Sequence, residues 1–205
     1  MIFVYNNTAM INKNKLRIIF LDFDGVITWP DSHWNVDPER LKRLESIIEA
    51  TGAKIVISSS WRGVCKNGEE FVQKILGPRH RIAETVTEDS LFIKSIYDVT
   101  GIGSCRGDEI KQWLDDHQDQ VESYVILDDD SDMLEEQLFN FVQTDGFYGI
   151  SDRTVHLATQ ILKGERIFNP IRLNTTLIFK YRMNRLGYKN NIDELLQNYT
   201  NKFAE

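Results

Sequence analysis

Two aspartates stand directly after an apolar run near the start of the chain. Residues 18–21 are all apolar, and Asp22, Asp24 and Gly25 follow, with one residue between the two acids. Residues two apart in a strand face the same side, so both carboxylates would project from one face where the strand ends. Gly25 permits backbone angles, or a close ligand approach, that a side chain would block. The stretch predicts a strand over residues 16–22 that ends in paired carboxylates.

The same stretch has a second interpretation. Asp-Gly between two apolar runs is a strong hairpin signal. Residues 17–29 could therefore form a β-hairpin with two surface aspartates, and the motifs farther along the chain decide between these interpretations.

A second apolar strand ends in hydroxyl side chains. Residues 53–58 are β-branched and mostly apolar, and Ser58 and Ser59 stand where the strand ends. An ordinary serine-rich loop is the alternative explanation. Between the two strands, Pro38 at a helix start and Gly52 past its end predict a helix. Strand, helix and strand together indicate a right-handed βαβ unit.

Two later stretches carry charged side chains at the ends of elements. Arg106 opens a predicted helix over 106–114 that has acids in its first turn. The apolar strand Tyr124–Leu127 ends in a run of aspartates at positions 128, 129, 130 and 132. One of these acids could cap a predicted helix over 133–138, but capping needs one residue rather than four.

The order of these elements predicts where the polar side chains meet. In an open parallel sheet, ligands bind beyond the carboxyl ends of the strands. The two groups of aspartates and the serines should therefore converge there from different strands. Carboxylates that repel one another require a cation, and ligands that are all oxygen select a hard ion such as Mg²⁺.

In this order, the four stretches resemble the four motifs of the haloacid dehalogenase-like (HAD) phosphohydrolases. The similarity covers residues 16–162, and residues 51–62 and 106–114 look like the HAD domain of Swiss Army Knife RNA-repair proteins. The resemblance implies an α/β fold, a Rossmann-like three-layer sandwich with a central parallel sheet. It also implies a minimal cap domain or none, because the spacing from Asp22 to Ser59 holds one helix.

The resemblance also implies an aspartyl-phosphate mechanism. Asp22 would be the nucleophile and a metal ligand. Asp24 would protonate the leaving oxygen, activate water and lend its backbone carbonyl to the metal. Ser59, or Ser58 if the register differs by one residue, would hold the phosphoryl oxygens together with Arg106.

The remaining roles have alternatives within the sequence. Asp128 and Asp129 would complete the Mg²⁺ shell, and Asp132 would serve if the acids follow the other spacing of the fourth motif. Lys111 is the substitute for Arg106 as the third-motif cation.

The implied substrate is a phosphomonoester, with an RNA or DNA end or a nucleotide as the expected class. An open site without a lid would admit a large substrate. The alternative function is a binding or effector module without turnover, in which Trp29, Trp34 and the C-terminal extension contact a protein partner.

Composition restricts the remaining possibilities. A net charge of −7 and a pI near 5.2 argue against nucleic-acid binding through a broadly basic surface, although a local basic groove stays possible. Cys65 and Cys105 offer no disulfide framework. No run of about 18 apolar residues predicts a membrane span, and the first residues lack the basic region of a signal peptide. We expect a cytoplasmic location.

Three regions are predicted along the chain: an N-terminal lead-in over 1–15, the HAD-like domain over 16–162 and a basic, partly helical extension over 163–205. Within the domain, further elements are expected as helices at 70–76 and 152–162 and a strand at 141–143. The extension should contain a helix near 192–203.

Overall fold

The computed structural model describes residues 15–28, 35–77 and 86–165. The strands in these ranges are β1 (Leu16–Leu21), β2 (Lys54–Ile57), β3 (Ile96–Val99), β4 (Val121–Asp128) and β5 (Phe141–Gln143). The α-helices are α1 (Pro38–Thr51), α2 (Gly68–Ile75), α3 (Leu91–Ser95), α4 (Arg106–His117) and α5 (Asp152–Leu162). Short 3₁₀ turns lie at Ser60–Arg62 and Glu135–Gln137.

The five strands form one parallel sheet in the order β3-β2-β1-β4-β5. The chain runs outward from β1 through β2 to β3, and then returns to place β4 on the other side of β1. Ligands bind at such a reversal of strand order, beyond the carboxyl ends of the two central strands. The predicted Rossmann-like α/β fold is confirmed.

The central strand is buried on both faces. Ile19 and Leu21 pack in one hydrophobic cluster, whereas Ile18 and Phe20 pack in the other. A parallel strand that is covered on both sides reads as a continuous apolar run, which explains the sequence before Asp22. Because β1 pairs in parallel with β2 and β4, the hairpin interpretation is wrong.

Helices cover both faces of the sheet. Leu44 and Ile47 of α1 pack in the same cluster as Leu157 of α5, and Ile110 and Trp113 of α4 pack in the cluster on the opposite face. Helix, sheet and helix form the three layers that the sequence predicts.

The boundaries of α1 follow from its capping residues. The Asp37 carboxylate accepts a hydrogen bond from the backbone N–H of Arg40 at 2.8 Å, and Pro38 is the first helical residue. Gly52 ends the helix in the left-handed conformation, with a φ of 67°. The predicted helix is confirmed, as is the helix predicted over 152–162.

Two elements differ from the prediction. The edge strand β3 was not predicted, because it has only four residues, follows α3 without a loop and includes exposed Tyr97. The helix predicted over 133–138 is wrong, since only the 3₁₀ turn Glu135–Gln137 forms there. The Gln137 side chain instead binds the backbone N–H of Leu134 and the carbonyl of Gly107, which ties this segment to α4.

Several predictions fall mostly or wholly outside the described residues. These are the lead-in over 1–15, Trp29, Trp34 and the extension over 163–205 with its helix near 192–203. The three-region division stays a prediction. None of the helices in the described parts of the chain has the length and hydrophobicity that a bilayer crossing requires.

Candidate active site

Strand pairing brings the ends of β1, β2 and β4 to one level. The residues aligned there are Leu21, Ile57 and Leu127. Asp22, Ser58 and Asp128 are the next residues along their strands, so they lie side by side. The N–H groups of Asp22 and Ser58 continue the ladder, with 3.0 Å hydrogen bonds to the carbonyls of Leu127 and Leu21. The register of the sheet therefore brings two carboxylates together that are distant in the sequence.

Asp22, Asp128 and Asp129 form what we call the acid cluster. One carboxylate oxygen from each lies within 4.8 Å of the others. Asp22 and Asp128 are buried, and Asp129 is half-buried. Three oxygen donors at this separation suit a hard divalent cation such as Mg²⁺. The predicted ligands Asp22, Asp128 and Asp129 are thus brought together.

Two glycines make room for the Asp129 side chain. A Cβ atom on Gly25, whose φ is +68°, would overlap with the Asp129 carboxylate. A Cβ atom on Gly146 would lie 2.7 Å from the same carboxylate. Gly25 belonged to the predicted motif, whereas Gly146 was missed, because only the tertiary structure brings the loop after β5 against Asp129.

Arg106 faces the acid cluster from the first turn of α4. Its guanidinium lies 3.4 Å from Asp22 Oδ1, 3.2 Å from Asp128 Oδ2 and 3.2 Å from Glu109 Oε2. When all are ionised, the three carboxylates of the acid cluster carry three negative charges. Arg106 and a monovalent ion together would balance only two of these charges. A divalent cation therefore fits the charge of the site as well as its oxygen ligands.

The buried carboxyls are sensitive to charge. Burial raises the pKa of Asp22 to about 6, and the charges of Asp24 and Asp129 act in the same direction, against Arg106 and the Ser59 hydroxyl. Burial and then the charge of Asp22 raise the pKa of Asp128 well above its usual value. Both carboxyls would be ionised more readily with a bound cation, because a nearby positive charge favours the carboxylate.

Asp24 lies outside the acid cluster and is held by two donors. Its Oδ1 accepts a 2.9 Å hydrogen bond from the Thr28 hydroxyl, and its Oδ2 accepts a 3.0 Å bond from the Trp61 indole N–H. Trp61 in turn stacks on Phe23, with ring centroids 4.9 Å apart. These contacts orient the carboxyl, and neither Thr28 nor Trp61 was assigned a role from the sequence.

The two candidate serines have different surroundings. The Ser59 hydroxyl hydrogen-bonds to the Asp22 carboxyl and also accepts from the N–H of Trp61 at 3.3 Å. Among the described residues, the buried Ser58 hydroxyl has no hydrogen-bond partner. The structure therefore places the Ser59 side chain beside Asp22.

Arg62 links Ser58, at the end of β2, to the segment after β3 and to α4. This buried guanidinium donates to the carbonyls of Ser58 and Thr100, at 2.8 and 3.0 Å, and thereby joins the ends of β2 and β3. It also pairs with Glu109 at 2.7 Å, and Glu109 contacts Arg106 as well. The sequence signal was an arginine two residues after the serine run, but its partners Thr100 and Glu109 come from distant segments.

The alternative residues for the fourth and third motifs, Asp132 and Lys111, lie outside the acid cluster. The Asp132 carboxylate accepts a 2.8 Å hydrogen bond from the backbone N–H of Arg106, so it holds the start of α4 and is not part of the acid cluster. Lys111 pairs with Asp115 at 2.9 Å on the exposed side of the helix. Arg106, and not Lys111, is the cation that contacts the acid cluster.

The chain matches a known protein family. Residues 18–155 match the family described as "HAD domain in Swiss Army Knife RNA repair proteins", which covers more than half of the chain. No curated protein and no solved structure gives a significant match. The predicted resemblance is confirmed, and the match indicates phosphohydrolase chemistry at a site whose acid cluster could bind a metal.

Proposed function

Since the chain belongs to the family of HAD domains in Swiss Army Knife RNA repair proteins, we propose that it is a Mg²⁺-dependent phosphatase. The proposed reaction is hydrolysis of a phosphomonoester on a nucleic-acid end or a nucleotide. The observation that carries this proposal is the acid cluster, in which a strand-end carboxylate, Asp22, meets Asp128, Asp129 and the cation of Arg106.

Asp22 is the proposed nucleophile. One of its oxygens attacks phosphorus, a new O–P bond forms and the bond from phosphorus to the leaving oxygen breaks. Asp24 gives its proton to that leaving oxygen. In the second step Asp24 takes a proton from water, the water oxygen attacks phosphorus, and phosphate leaves with Asp22 restored. A carboxylate nucleophile thereby divides one difficult displacement into two easier steps.

Other side chains hold the phosphoryl group during both steps. Ser59 and Arg106 are the proposed donors to its oxygens, because both contact the Asp22 carboxyl. The hydrogen bonds from Thr28 and Trp61 keep the Asp24 carboxyl oriented for proton transfer.

Asp22, Asp128 and Asp129 are the proposed side-chain ligands of Mg²⁺, and the backbone carbonyl of Asp24 is the proposed fourth protein ligand. Bound Mg²⁺ would neutralise charge on the transferring phosphoryl group. The three carboxylate ligands and the gap that Gly25 and Gly146 leave for Asp129 support this assignment.

The test is phosphate release by the full chain with Mg²⁺, across nucleotides, phosphorylated RNA and DNA ends, sugar phosphates, phosphopeptides and a generic aryl phosphate. We expect hydrolysis of at least one class, its loss on chelation of the metal, and no turnover by Asp22→Asn. The matched control is Asp130→Asn, because Asp130 is an exposed acid of the same run, and this variant should keep its activity.

Two results would contradict the proposal. Full activity in Asp22→Asn would show that Asp22 is not the nucleophile. The absence of activity on every phosphoester, together with a protein that copurifies with the chain, would favour the binding or effector module.

A further inference from the structure

The exposed large apolar side chains of the described residues are unevenly distributed. They are Val64, Tyr97, Ile102, Phe147 and Tyr148. All except Tyr97 lie in loops that follow β2, β3 or β5, at the edge of the sheet where the acid cluster lies. The surroundings of the proposed phosphate site thus include aromatic and aliphatic side chains that the proposed mechanism does not use.

Two of the three aromatic residues in this group, Phe147 and Tyr148, lie in a loop that is held beside the acid cluster. They belong to residues 144–149, which we call the aromatic loop. Its first residue, Thr144, donates from its hydroxyl to the carbonyl of Gly25 at 2.9 Å. Gly146 lies against the Asp129 carboxylate, and Phe147 is the next residue.

The aromatic loop is held by several hydrogen bonds. The Asp145 carboxylate accepts from the backbone N–H groups of Phe147 and Tyr148, at 2.9 and 3.1 Å. The buried guanidinium of Arg40 donates to the carbonyls of Phe147 and Thr28, which ties the aromatic loop to the segment after β1. The two rings are therefore exposed on an anchored backbone, which lowers the entropic cost of binding a ligand.

Tyr148 is the more accessible ring. It is 73% exposed, and Phe147, which is 52% exposed, contacts it edge to face with ring centroids 5.2 Å apart. A large exposed aromatic ring with a second ring against it provides a surface for flat ligands. Stacking of nucleobases on aromatic side chains is a recurrent way to bind single-stranded nucleic acid and its ends.

Charge favours this mode of recognition over phosphate contacts. The chain has a net charge of −7, so its overall charge does not favour contacts to further phosphates of a substrate. A base has no such penalty, because stacking does not depend on net charge.

We propose that Tyr148, supported by Phe147, stacks on the base of the nucleotide whose phosphate reaches the acid cluster. This assignment rests on the proposed phosphatase function and makes its substrate a nucleotide, either free or at the end of a chain. Tyr148 and Phe147 are specificity residues and take no part in bond breaking.

The experiment compares substrates that differ only in the base. Phosphate release is measured for adenosine 5′-monophosphate and for ribose 5-phosphate, which lacks the base. It is also measured for adenosine 3′-monophosphate and for a short oligonucleotide with a terminal phosphate. We expect kcat/KM to be about tenfold or more higher when the base is present. The oligonucleotide arm separates a chain end from a free nucleotide as the preferred source.

The variants separate stacking from simple apolar contact. Tyr148→Leu keeps an apolar side chain and should lose most of the preference for the base, whereas Tyr148→Trp should retain it. Ribose 5-phosphate should be hydrolysed equally by all of these forms. Tyr97→Leu is the matched control, because Tyr97 is an exposed aromatic residue within β3, and it should behave like the unaltered protein.

The outcomes distinguish this inference from the proposed function. Equal kcat/KM with and without the base in the unaltered protein, or a base preference that survives in Tyr148→Leu, overturns the stacking role and leaves the phosphatase intact. If no phosphoester is hydrolysed, the proposed function fails. Calorimetric binding of adenosine 5′-monophosphate to the unaltered protein and to the Tyr148 variants then decides the stacking role by itself.

Discussion

The acid cluster has two sides that are built differently. On one side, the guanidinium of Arg106 contacts Asp22 and Asp128, and the Arg62–Glu109 pair lies behind it. On the other side, the Asp129 carboxylate lies against two residues without side chains, Gly25 and Gly146. We call these the charged side and the glycine side.

The difference separates two requirements of a phosphate site. The charged side balances buried carboxylates and offers a cation to phosphoryl oxygens. The glycine side contributes space, since the third carboxylate could not approach if either glycine carried a Cβ atom. Substitutions on the charged side should therefore change electrostatics, and those on the glycine side should change geometry.

Of the substitutions that distinguish the two sides, Arg106→Met is expected to have the largest effect, because it keeps a long side chain but removes the cation of the charged side. We expect kcat to fall about a hundredfold to a thousandfold at saturating Mg²⁺, as for the loss of one donor to a developing oxyanion. Steady-state phosphate release measures this change.

Lys111→Met is the matched control for Arg106→Met. It removes a cation from the exposed face of the same helix and should leave kcat unchanged. If the kcat of Arg106→Met stays within tenfold of that of the unaltered protein, Arg106 serves only as a structural ion-pair partner.

The next effect concerns pH in the absence of Mg²⁺. The folded pKa of Asp22 is raised from 3.8 to about 6, so the folded state retains a proton that the unfolded state releases between these values. The free energy of unfolding should therefore fall as the pH rises through this window, by about 3 kcal/mol in total for Asp22.

Urea unfolding of the unaltered protein and of Asp22→Asn, from pH 4 to pH 7, measures this contribution as a difference between the two, together with the accompanying change at Asp128, whose pKa the Asp22 charge raises. Added Mg²⁺ should stabilise the unaltered protein more at pH 7 than at pH 5, because ionised carboxylates bind the ion. If the difference in unfolding free energy between the two proteins stays constant with pH, the pKa of Asp22 is not raised in the folded state.

The smallest effect is expected on the glycine side. Gly25→Ala combines an unfavourable φ with an overlap at Asp129, Gly146→Ala has only the overlap, and Gly52→Ala has only the unfavourable φ, with no atom within 4 Å. An alanine in the left-handed region costs about 1–2 kcal/mol, so both Gly25→Ala and Gly52→Ala should lose thermal stability.

Mg²⁺ affinity separates the three glycine variants. Stabilisation by Mg²⁺ in a thermal melt should weaken in Gly25→Ala and Gly146→Ala and should be retained in Gly52→Ala. Equal Mg²⁺ stabilisation in all three would show that the glycine side does not position a metal ligand.

Local sequence signals predicted the elements on which the site depends. The apolar runs before Asp22 and Asp128 and the capping residues of α1 each carry a local signal. Strand β3 was missed because a short edge strand is only partly buried and lacks a continuous apolar run. The helix over 133–138 was predicted from acids thought to cap it, but Asp132 is engaged by the N–H of Arg106.

The sequence by itself determined that carboxylates, hydroxyls and a cation would stand at the ends of elements, because burial and capping are read from neighbouring residues. The tertiary structure decided which of them meet. Pairing of β1 with β4 sets Asp22 beside Asp128, and the loop after β5 brings Gly146 against Asp129. Asp22 and Asp128 are more than a hundred residues apart in the sequence. Both contacts depend on sheet register and packing, which no local pattern encodes.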